Sequence, residues 1–209
     1  MPAEHLTAKP SGVSWDVAGG LFVAGATAYA AVRAIKLGAE NTVAVAGTAG
    51  GVGSIAVQLT KRAGATIWAL LGPPMTRGCS ATACTGQPRR RPCRSAQSRR
   101  TSGSYRRVPR LFGGGYVALA LNDLGVATQR VNTIIDFAAV EKYGVQSAGN
   151  GDATDARVLA ELAELIAHGE LEVPIATTCP LDDVRQAYRA LEQRHTRGKG
   201  VRDIYCRQC

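Results

Sequence analysis

Residues 42–63 read TVAVAGTAGGVGSIAVQLTKRA, and the rest of the chain can be interpreted from this stretch. Its first five residues are small or β-branched and almost free of polar side chains, which predicts a parallel strand buried on both faces. Glycines then stand at positions 47, 50, 51 and 53. The apolar residues that follow recur at helical spacing, at Val52, Ala56, Leu59 and Ala63. The stretch therefore predicts a strand, a glycine-rich turn and a helix.

A glycine-rich turn that leads into a helix suits the binding of a pyrophosphate. The first backbone N–H groups of a helix are unpaired and carry partial positive charge, so an anion is stabilised there without a cationic side chain. Glycine lets the anion approach the backbone and lets the helix pack against the strand. In the dinucleotide fingerprint G-x-G-x-x-G, Thr48 replaces the first glycine, whereas Gly50 and Gly53 stand at the second and third. The alternative is a tight strand-to-helix turn without a ligand.

The sequence GTAGGVGSIAVQLTKRAGA at residues 47–65, together with ATAYAAV at residues 26–32, resembles a known family. It is similar to the cofactor domain of the medium-chain dehydrogenase/reductase superfamily, in the zinc-independent, quinone-oxidoreductase-like branch. The resemblance implies an α/β fold, a Rossmann doubly wound parallel sheet. It also implies NADPH-dependent hydride transfer to a quinone or to an activated double bond or carbonyl, without a metal ion. The turn residues that would contact NADP are Thr48, Ala49, Gly50, Gly51, Val52 and Gly53.

The resemblance also assigns residues outside the turn to the cofactor. Thr27 matches the family's threonine beside the nicotinamide, and residues 131–136, VNTIID, read as a short buried strand whose carboxyl end contacts the nicotinamide half. The matching sequence ends at Gly198-Lys199. From composition alone, Thr27, Thr133 and Ile135 are equally ordinary helix or strand residues. The residues assigned in this way are Thr27, Asn132, Thr133, Ile135 and Lys199.

Family members carry a separate substrate domain, which is GroES-like, ahead of the cofactor domain. Most of that domain has no counterpart here, although AEHLTAKP at residues 3–10 resembles its last strand. We therefore expect residues 1–13 to be its remnant, residues 14–199 to form the Rossmann domain, and residues 200–209 to be an atypical tail. Since one wall of the substrate cleft would be absent, we expect dinucleotide binding without full activity.

The net charge of +9 is concentrated in one segment. Residues 72–110 contain ten arginines and no acidic residue, while the rest of the chain has 15 basic and 16 acidic side chains. Among Val, Ile, Leu, Phe and Trp, this segment holds only Val108, so no buried face is expected. We interpret it as irregular, and as a hypothesis, as sequence read in a shifted frame. The alternative is an arginine-rich arm that binds nucleic-acid phosphates, although Tyr105 is its only aromatic residue.

The residues after the second predicted strand, TIWALL at 66–71, bear on the choice of cofactor. A carboxylate there would bind the ribose 2′-OH of NAD, whereas Gly72-Pro73-Pro74 and then Arg77 follow with no acidic residue. This pattern favours NADPH. Six cysteines include a Cys206-x-x-Cys209 pair with metal-ligand spacing, but five of the six lie in the two stretches that depart from the family. We therefore expect no metal site.

Four helical regions are predicted outside the central stretch. Residues 15–35 are apolar and alanine-rich, and we expect two short helices separated near Gly25, with Ser14 as the N-cap. Residues 111–121, LFGGGYVALAL, resemble a strand end, a glycine turn and a helix. Two helices have one apolar face each, expected to pack on the core: Val158, Leu159, Leu162, Leu165 and Ile166 in the first, and Val184, Ala187, Tyr188 and Leu191 in the second.

The sequence thus predicts, through this resemblance, an NADP(H)-dependent oxidoreductase of the quinone-oxidoreductase type, with no identified catalytic residue. The alternative is a non-catalytic dinucleotide-binding or interaction module, and nucleic-acid binding through the arginine segment ranks third. No secretory signal and no apolar run long enough to cross a membrane are recognised, so a cytoplasmic protein is expected. The expected partners are a small-molecule substrate and, as in many family members, a second copy of the chain.

Overall fold

The computed structural model describes residues 5–70, 108–110, 115–193 and 196–203. Within these ranges, helices α1 to α6 span Trp15–Ala34, Gly51–Arg62, Tyr116–Ala118, Phe137–Tyr143, Ala156–Ala167 and Val184–Glu192. Strands β1 to β6 span Thr42–Ala46, Thr66–Leu70, Val108–Arg110, Val131–Thr133, Ile175–Pro180 and Lys199–Asp203. Short 3₁₀ turns lie at Thr128–Arg130, Asn150–Ala153 and Leu181–Asp183, and a π-helical turn, Leu119–Asp123, continues α3.

The main sheet contains four parallel strands in the order β2–β1–β3–β4. Its two faces are covered by different helices, as expected for a parallel sheet. On one face, Val43 and Val45 pack in the core formed with α1, α2 and α5, while Ala44 packs on the other face with residues of α3 and α4. This alternation along β1 explains why the strand needs small apolar residues throughout. The prediction of an α/β Rossmann-type sheet is confirmed.

Helix α1 is one continuous helix of 20 residues, so the prediction of two short helices separated near Gly25 was wrong. Gly25 is buried, and a Cβ there would come within 2.8 Å of Leu21 and 2.9 Å of Leu162. The missing side chain therefore allows α5 to pack closely, and this tertiary contact outweighs the low helix propensity of glycine. The predicted N-cap is confirmed, because the Ser14 side chain accepts a hydrogen bond from the Val17 amide at 3.3 Å.

Helix α1 is also long and apolar enough to cross a membrane by length and composition, which the sequence analysis did not anticipate. It is the one such helix in the part of the chain that the structure describes. Of the 18-residue stretch of α1 that is apolar enough to cross a membrane, 56% is buried inside the fold. Leu21, Ala24, Ala28 and Val32 belong to the same core cluster as residues of α2 and α5. A core helix of this kind meets the same length and hydropathy criteria.

The two amphipathic helices predicted in the second half of the chain, α5 and α6, differ in how far their apolar faces are buried. In α5, Leu162 and Leu165 are buried and their apolar neighbours pack against the same core, which confirms the prediction. In α6 no residue is buried, and Tyr188 and Leu191 remain 54% and 46% exposed, so the prediction of an inward-facing apolar stripe was wrong. The physical reason is that α6 packs against β5, which with β6 forms a separate two-stranded sheet too small to cover it.

Two strands lie where no sequence pattern predicted a strand. β3 occupies residues 108–110, inside the segment expected to be irregular, and connects β1 to β4. β6 occupies residues 199–203, mostly within the expected atypical tail, and pairs in parallel with β5. Residues 71–107, 111–114 and 204–209 lie outside the described residues, as do most residues of the arginine-rich segment.

Candidate functional site

The carboxyl ends of the strands of the main sheet are level with one another. Ala46 at the end of β1 stands in register with Leu70 of β2 and with Arg110 of β3, which in turn stands opposite Thr133 of β4. The chain leaving β1 therefore enters the glycine-rich turn at the same edge of the sheet as the chain leaving β4, with β3 between the two strands. This edge of an open parallel sheet is where α/β proteins bind their ligands. The candidate site is built on it.

The glycine-rich turn adopts a conformation that its glycines make possible. Gly47 has a φ of +71°, a backbone conformation that favours glycine, and its carbonyl oxygen accepts a hydrogen bond from the Gly50 amide at 3.0 Å. Gly53 is buried against the turn, because a Cβ there would overlap the Gly47 carbonyl oxygen and lie 2.9 Å from the Cα of Thr48. The third glycine of the fingerprint is thus required for close packing of α2 on the turn.

Gly50 has a different role from Gly53. As the N-cap of α2 it has φ −80° and ψ 170°, which any residue can adopt, and a Cβ there would lie 3.4 Å from the nearest atom, the Gly47 oxygen. Folding of the free protein therefore does not require glycine at this position. Glycine at the second position of the fingerprint instead lets a pyrophosphate approach the backbone.

The start of α2 is electrostatically suited to an anion. The Gly50 N-cap has no side chain that could accept a hydrogen bond from the first turn, and that turn contains no acidic residue. The first N–H groups of a helix lack carbonyl partners within the helix and carry its positive partial charge. A phosphate oxygen is the type of acceptor that satisfies such groups.

The carboxyl-terminal segment lies directly on the glycine-rich turn, a contact that the sequence analysis missed. Gly198 forms an isolated parallel bridge with Gly50, and its amide donates a hydrogen bond to the Ala49 carbonyl at 2.9 Å. Lys199 is half-buried, and its aliphatic carbons lie over the Cα of Gly51. The structure therefore brings Lys199 to the same turn as residues 48–53. No local pattern in the sequence could have paired positions so far apart.

The remaining predicted site residues lie around the same sheet but have other contacts. Thr27 is buried, and its hydroxyl donates a hydrogen bond to the Val23 carbonyl at 2.6 Å within α1. Asn132 and Thr133 are both 0% exposed. Ile135, just beyond β4, is 45% exposed. Of these residues Ile135 alone presents its side chain to solvent, and the cofactor contacts assigned to all of them stay predictions.

The side chains of Asn132 and Thr133 are engaged by the backbone. Asn132 accepts a hydrogen bond from the Ala148 amide at 2.7 Å and donates one to the Ala148 carbonyl at 3.1 Å. The Thr133 hydroxyl accepts a hydrogen bond from the Asp136 amide at 3.2 Å. Both side chains therefore shape the chain that follows β4, and their role in this structure is to hold that chain in place.

A separate open groove lies between α1 and the 3₁₀ turn Asn150–Ala153. Tyr29, Arg33, Gln146 and Asp155 are among the residues that line it. None of its lining residues belongs to the glycine-rich turn, so it is not the candidate dinucleotide site. Tyr29 and Arg33 already interact with each other, since the guanidinium lies 5.5 Å from the ring centre.

Metal ligands do not gather in the described ranges. Residues 5–70, 108–110, 115–193 and 196–203 contain no group of three or more His, Cys, Asp or Glu side chains that could hold a metal ion. Of the six cysteines, Cys179 alone falls in these ranges, as a free thiol. The Cys206-x-x-Cys209 pair, the other cysteines and Arg77 lie outside the described residues.

Comparison with known proteins relates the chain to dehydrogenases. Residues 100–201, just under half of the chain, match the family model described as zinc-binding dehydrogenase. Among solved structures, a quinone oxidoreductase from Coxiella burnetii superimposes with a TM-score of 0.76 at 22% identity, over 95% of this chain and 64% of that one. Acetophenone reductase from Geotrichum candidum, in complex with NAD, gives a TM-score of 0.66 at 17% identity, over 94% of this chain and 58% of that one.

Curated relatives are much longer proteins. A highly reducing polyketide synthase from Cladosporium cladosporioides is 25% identical over 92% of this chain, which corresponds to 9% of the synthase. A second highly reducing polyketide synthase, from Gibberella zeae, is 27% identical over 96% of this chain and 10% of the synthase. The chain thus spans about a tenth of the length of these relatives.

Proposed function

We propose that this chain is an NADPH-binding oxidoreductase domain of the medium-chain dehydrogenase/reductase superfamily. The single observation that supports this most strongly is the geometry of the glycine-rich turn. At the end of β1, Gly53 packs against the backbone of Gly47, and the uncapped start of α2 faces the carboxyl edge of the sheet. Such a turn fits the pyrophosphate of a dinucleotide.

Within this proposal, the backbone of residues 48–53 holds the pyrophosphate. The N–H groups at the start of α2 donate to its oxygens, and Gly50 leaves room for them. The exposed Ile135 lies beyond the carboxyl end of β4, level with the turn, and would form part of the surface that orients the nicotinamide. The nicotinamide supplies the hydride when the cofactor is bound.

The preference for NADPH over NADH is supported by the sequence after β2. The residues that follow this strand include no Asp or Glu to bind the 2′-OH of the adenosine ribose, and the nearest charged residue is Arg77. The structure describes the strand as far as Leu70, whose position is level with Ala46 and hence with the start of the turn.

The proposed acceptor is a quinone or an activated double bond or carbonyl, reduced without a metal ion. The described residues do not fit a zinc centre, since no suitable ligand group exists among them. The local similarity to highly reducing polyketide synthases agrees with a role in a reduction. The alternative of a cofactor-binding module without catalysis would show dinucleotide binding but no turnover of either kind of acceptor.

The test is a titration of NADPH into the full 209-residue chain, followed by cofactor fluorescence. We expect saturable binding, and in Gly50→Val we expect binding to be at least about tenfold weaker because the side chain separates the pyrophosphate from the backbone. The free energy of unfolding of this variant should change little. Valine can adopt the φ and ψ of Gly50, and the atom nearest to a Cβ at this position lies 3.4 Å from it.

The matched control is Gly19→Val, which adds the same side chain at an exposed position of α1 with no atom within 4 Å. It should bind NADPH as the unaltered chain does. Absence of saturable binding to a chain that still shows a cooperative melting transition would refute the proposal. A parallel titration with NADH tests the cofactor preference, and tighter binding of NADH would overturn it.

A further inference from the structure

We propose that Gly198 is a positioning residue for the cofactor turn: its backbone ties the carboxyl-terminal strand to Ala49 and so fixes the turn that holds the pyrophosphate. This inference rests on the proposed cofactor site and adds a residue that would not touch the cofactor. It follows from the position of residues 198–199 between two segments of the fold. We call residues 198–199 the strap.

The strap has a hydrogen bond on each side. On one side the Gly198 amide donates to the Ala49 carbonyl at 2.9 Å, and on the other the Lys199 amide donates to the Pro174 carbonyl at 2.8 Å. Fixing the Ala49 carbonyl sets the plane of the peptide between Ala49 and Gly50. The next peptide begins α2, where the N–H groups that would bind the anion are found. The orientation of those groups therefore depends on a contact made 149 residues further along the chain.

The strap can occupy this position because residue 198 is glycine. Gly198 has a φ of +90°, in a region that favours glycine, and a Cβ there would overlap the Pro174 carbonyl oxygen and lie 2.9 Å from its carbon. A larger residue must therefore move away from Pro174 or change its backbone conformation. Either response disturbs the hydrogen bond to Ala49.

Pro174 cannot easily move aside instead. Leu171 and Val173, which precede it, are both 4% exposed and belong to the core. The Gln58 side chain donates a hydrogen bond to the Glu172 carbonyl and accepts one from the Glu172 amide, each at 2.8 Å, which joins this segment to α2. The Pro174 carbonyl is thus held in a fixed position relative to α2, the helix whose start forms the proposed anion site.

The Lys199 side chain reinforces the same contact. Its Cβ and Cγ would lie 3.6 and 3.7 Å from a Cβ at Gly20 of α1, and its Cδ lies over Gly51 at the start of α2. The aliphatic part of the side chain therefore packs between two helices at positions where both carry glycine. This packing holds the strap against α2 as well as against Ala49.

The experiment compares Gly198→Ala with Gly200→Ala in the full chain. Gly200 lies two residues away in β6, and a Cβ there would have Thr177 as its nearest neighbour, at 3.8 Å. We expect Gly198→Ala to weaken NADPH binding at least about fivefold at temperatures well below its melting transition, which is the effect of losing one hydrogen bond from the turn. Gly200→Ala should leave the dissociation constant unchanged.

The comparison separates positioning from stability. A residue with a purely structural role would lower the melting temperature but leave the dissociation constant unaltered where the protein is fully folded, and that result would overturn the inference. If the unaltered chain and Gly200→Ala also failed to bind NADPH, the proposed function itself would fail first. The two failures are therefore distinguishable.

A second measurement does not depend on the variant folding. Coupling between two sites is reciprocal, so a cofactor bound to the turn should protect the strap. In the unaltered chain, NADPH should slow hydrogen exchange of the Gly198 amide more strongly than exchange of the Val201 amide in the same strand. Equal slowing at both amides would contradict the inference.

Discussion

Replacement of Gly53 by alanine is expected to lower the free energy of unfolding by about 3 kcal/mol or more. A methyl group at this position would overlap the Gly47 carbonyl oxygen and lie 2.7 Å from its carbonyl carbon and 2.9 Å from the Thr48 Cα. These are backbone atoms of a tight turn at the end of a buried strand, so they cannot rotate away as a side chain would. The helix must therefore move off the sheet, and NADPH binding should be lost together with stability.

The control for this prediction is Gly19→Ala, which makes the same change in an exposed part of a helix. No atom lies within 4 Å of a Cβ there, so the higher helix propensity of alanine should stabilise the protein by up to about 1 kcal/mol. Urea unfolding followed by circular dichroism measures both variants. Opposite signs are expected, and a Gly53→Ala variant as stable as the unaltered chain would show that the turn does not pack as described.

Removal of the Asn132 side chain should cause the second large effect. In Asn132→Ala, the Ala148 amide and carbonyl both lose their partner at a site that is 0% exposed, and a cavity remains. We expect a loss of about 2–4 kcal/mol in the free energy of unfolding, measured by the same urea titration. Among molecules that remain folded, the dissociation constant of NADPH should change by less than about threefold, because the side chain faces the protein interior.

A suitable comparison is Gln146→Ala in the segment that Asn132 holds. Its side chain donates one exposed hydrogen bond, to the Gln129 carbonyl at 3.1 Å, so its loss should cost about 0.5 kcal/mol or less. If Asn132→Ala retained normal stability but bound NADPH much more weakly, the direct cofactor role implied by the family resemblance would apply to this residue. The pair of variants thus tests whether Asn132 is a structural residue or a ligand.

The buried fraction of each helix shows how far a periodic pattern can be used. The apolar stripe of α5 predicted a buried face correctly, because the sheet and α1 supply a surface for it. The more strongly amphipathic pattern of α6 also predicted a buried face, yet Tyr188 and Leu191 are about half-exposed. Periodicity identifies which residues share a face, but it does not say whether another element is present to cover that face.

The sequence alone determined the features that depend on neighbouring residues. The β1 strand, the glycine-rich turn and α2 were all predicted, because the composition of residues 42–63 and the spacing of their glycines act over a few positions. The same local reasoning located β4, although the strand is shorter than expected and ends at Thr133. These elements are sufficient to place the candidate site at the carboxyl edge of a parallel sheet.

Only the tertiary structure decided the features that depend on residues distant in sequence. The continuity of α1 through Gly25 depends on Leu162, and the buried contacts of Asn132 depend on Ala148. The contact between Gly198 and Ala49 joins residues that are 149 positions apart in the chain. Each of these contacts arises when separate elements pack together, and its energy depends on partners that no local pattern identifies. For this reason the sequence located the proposed cofactor turn, whereas the structure identified the residues that hold the turn in place.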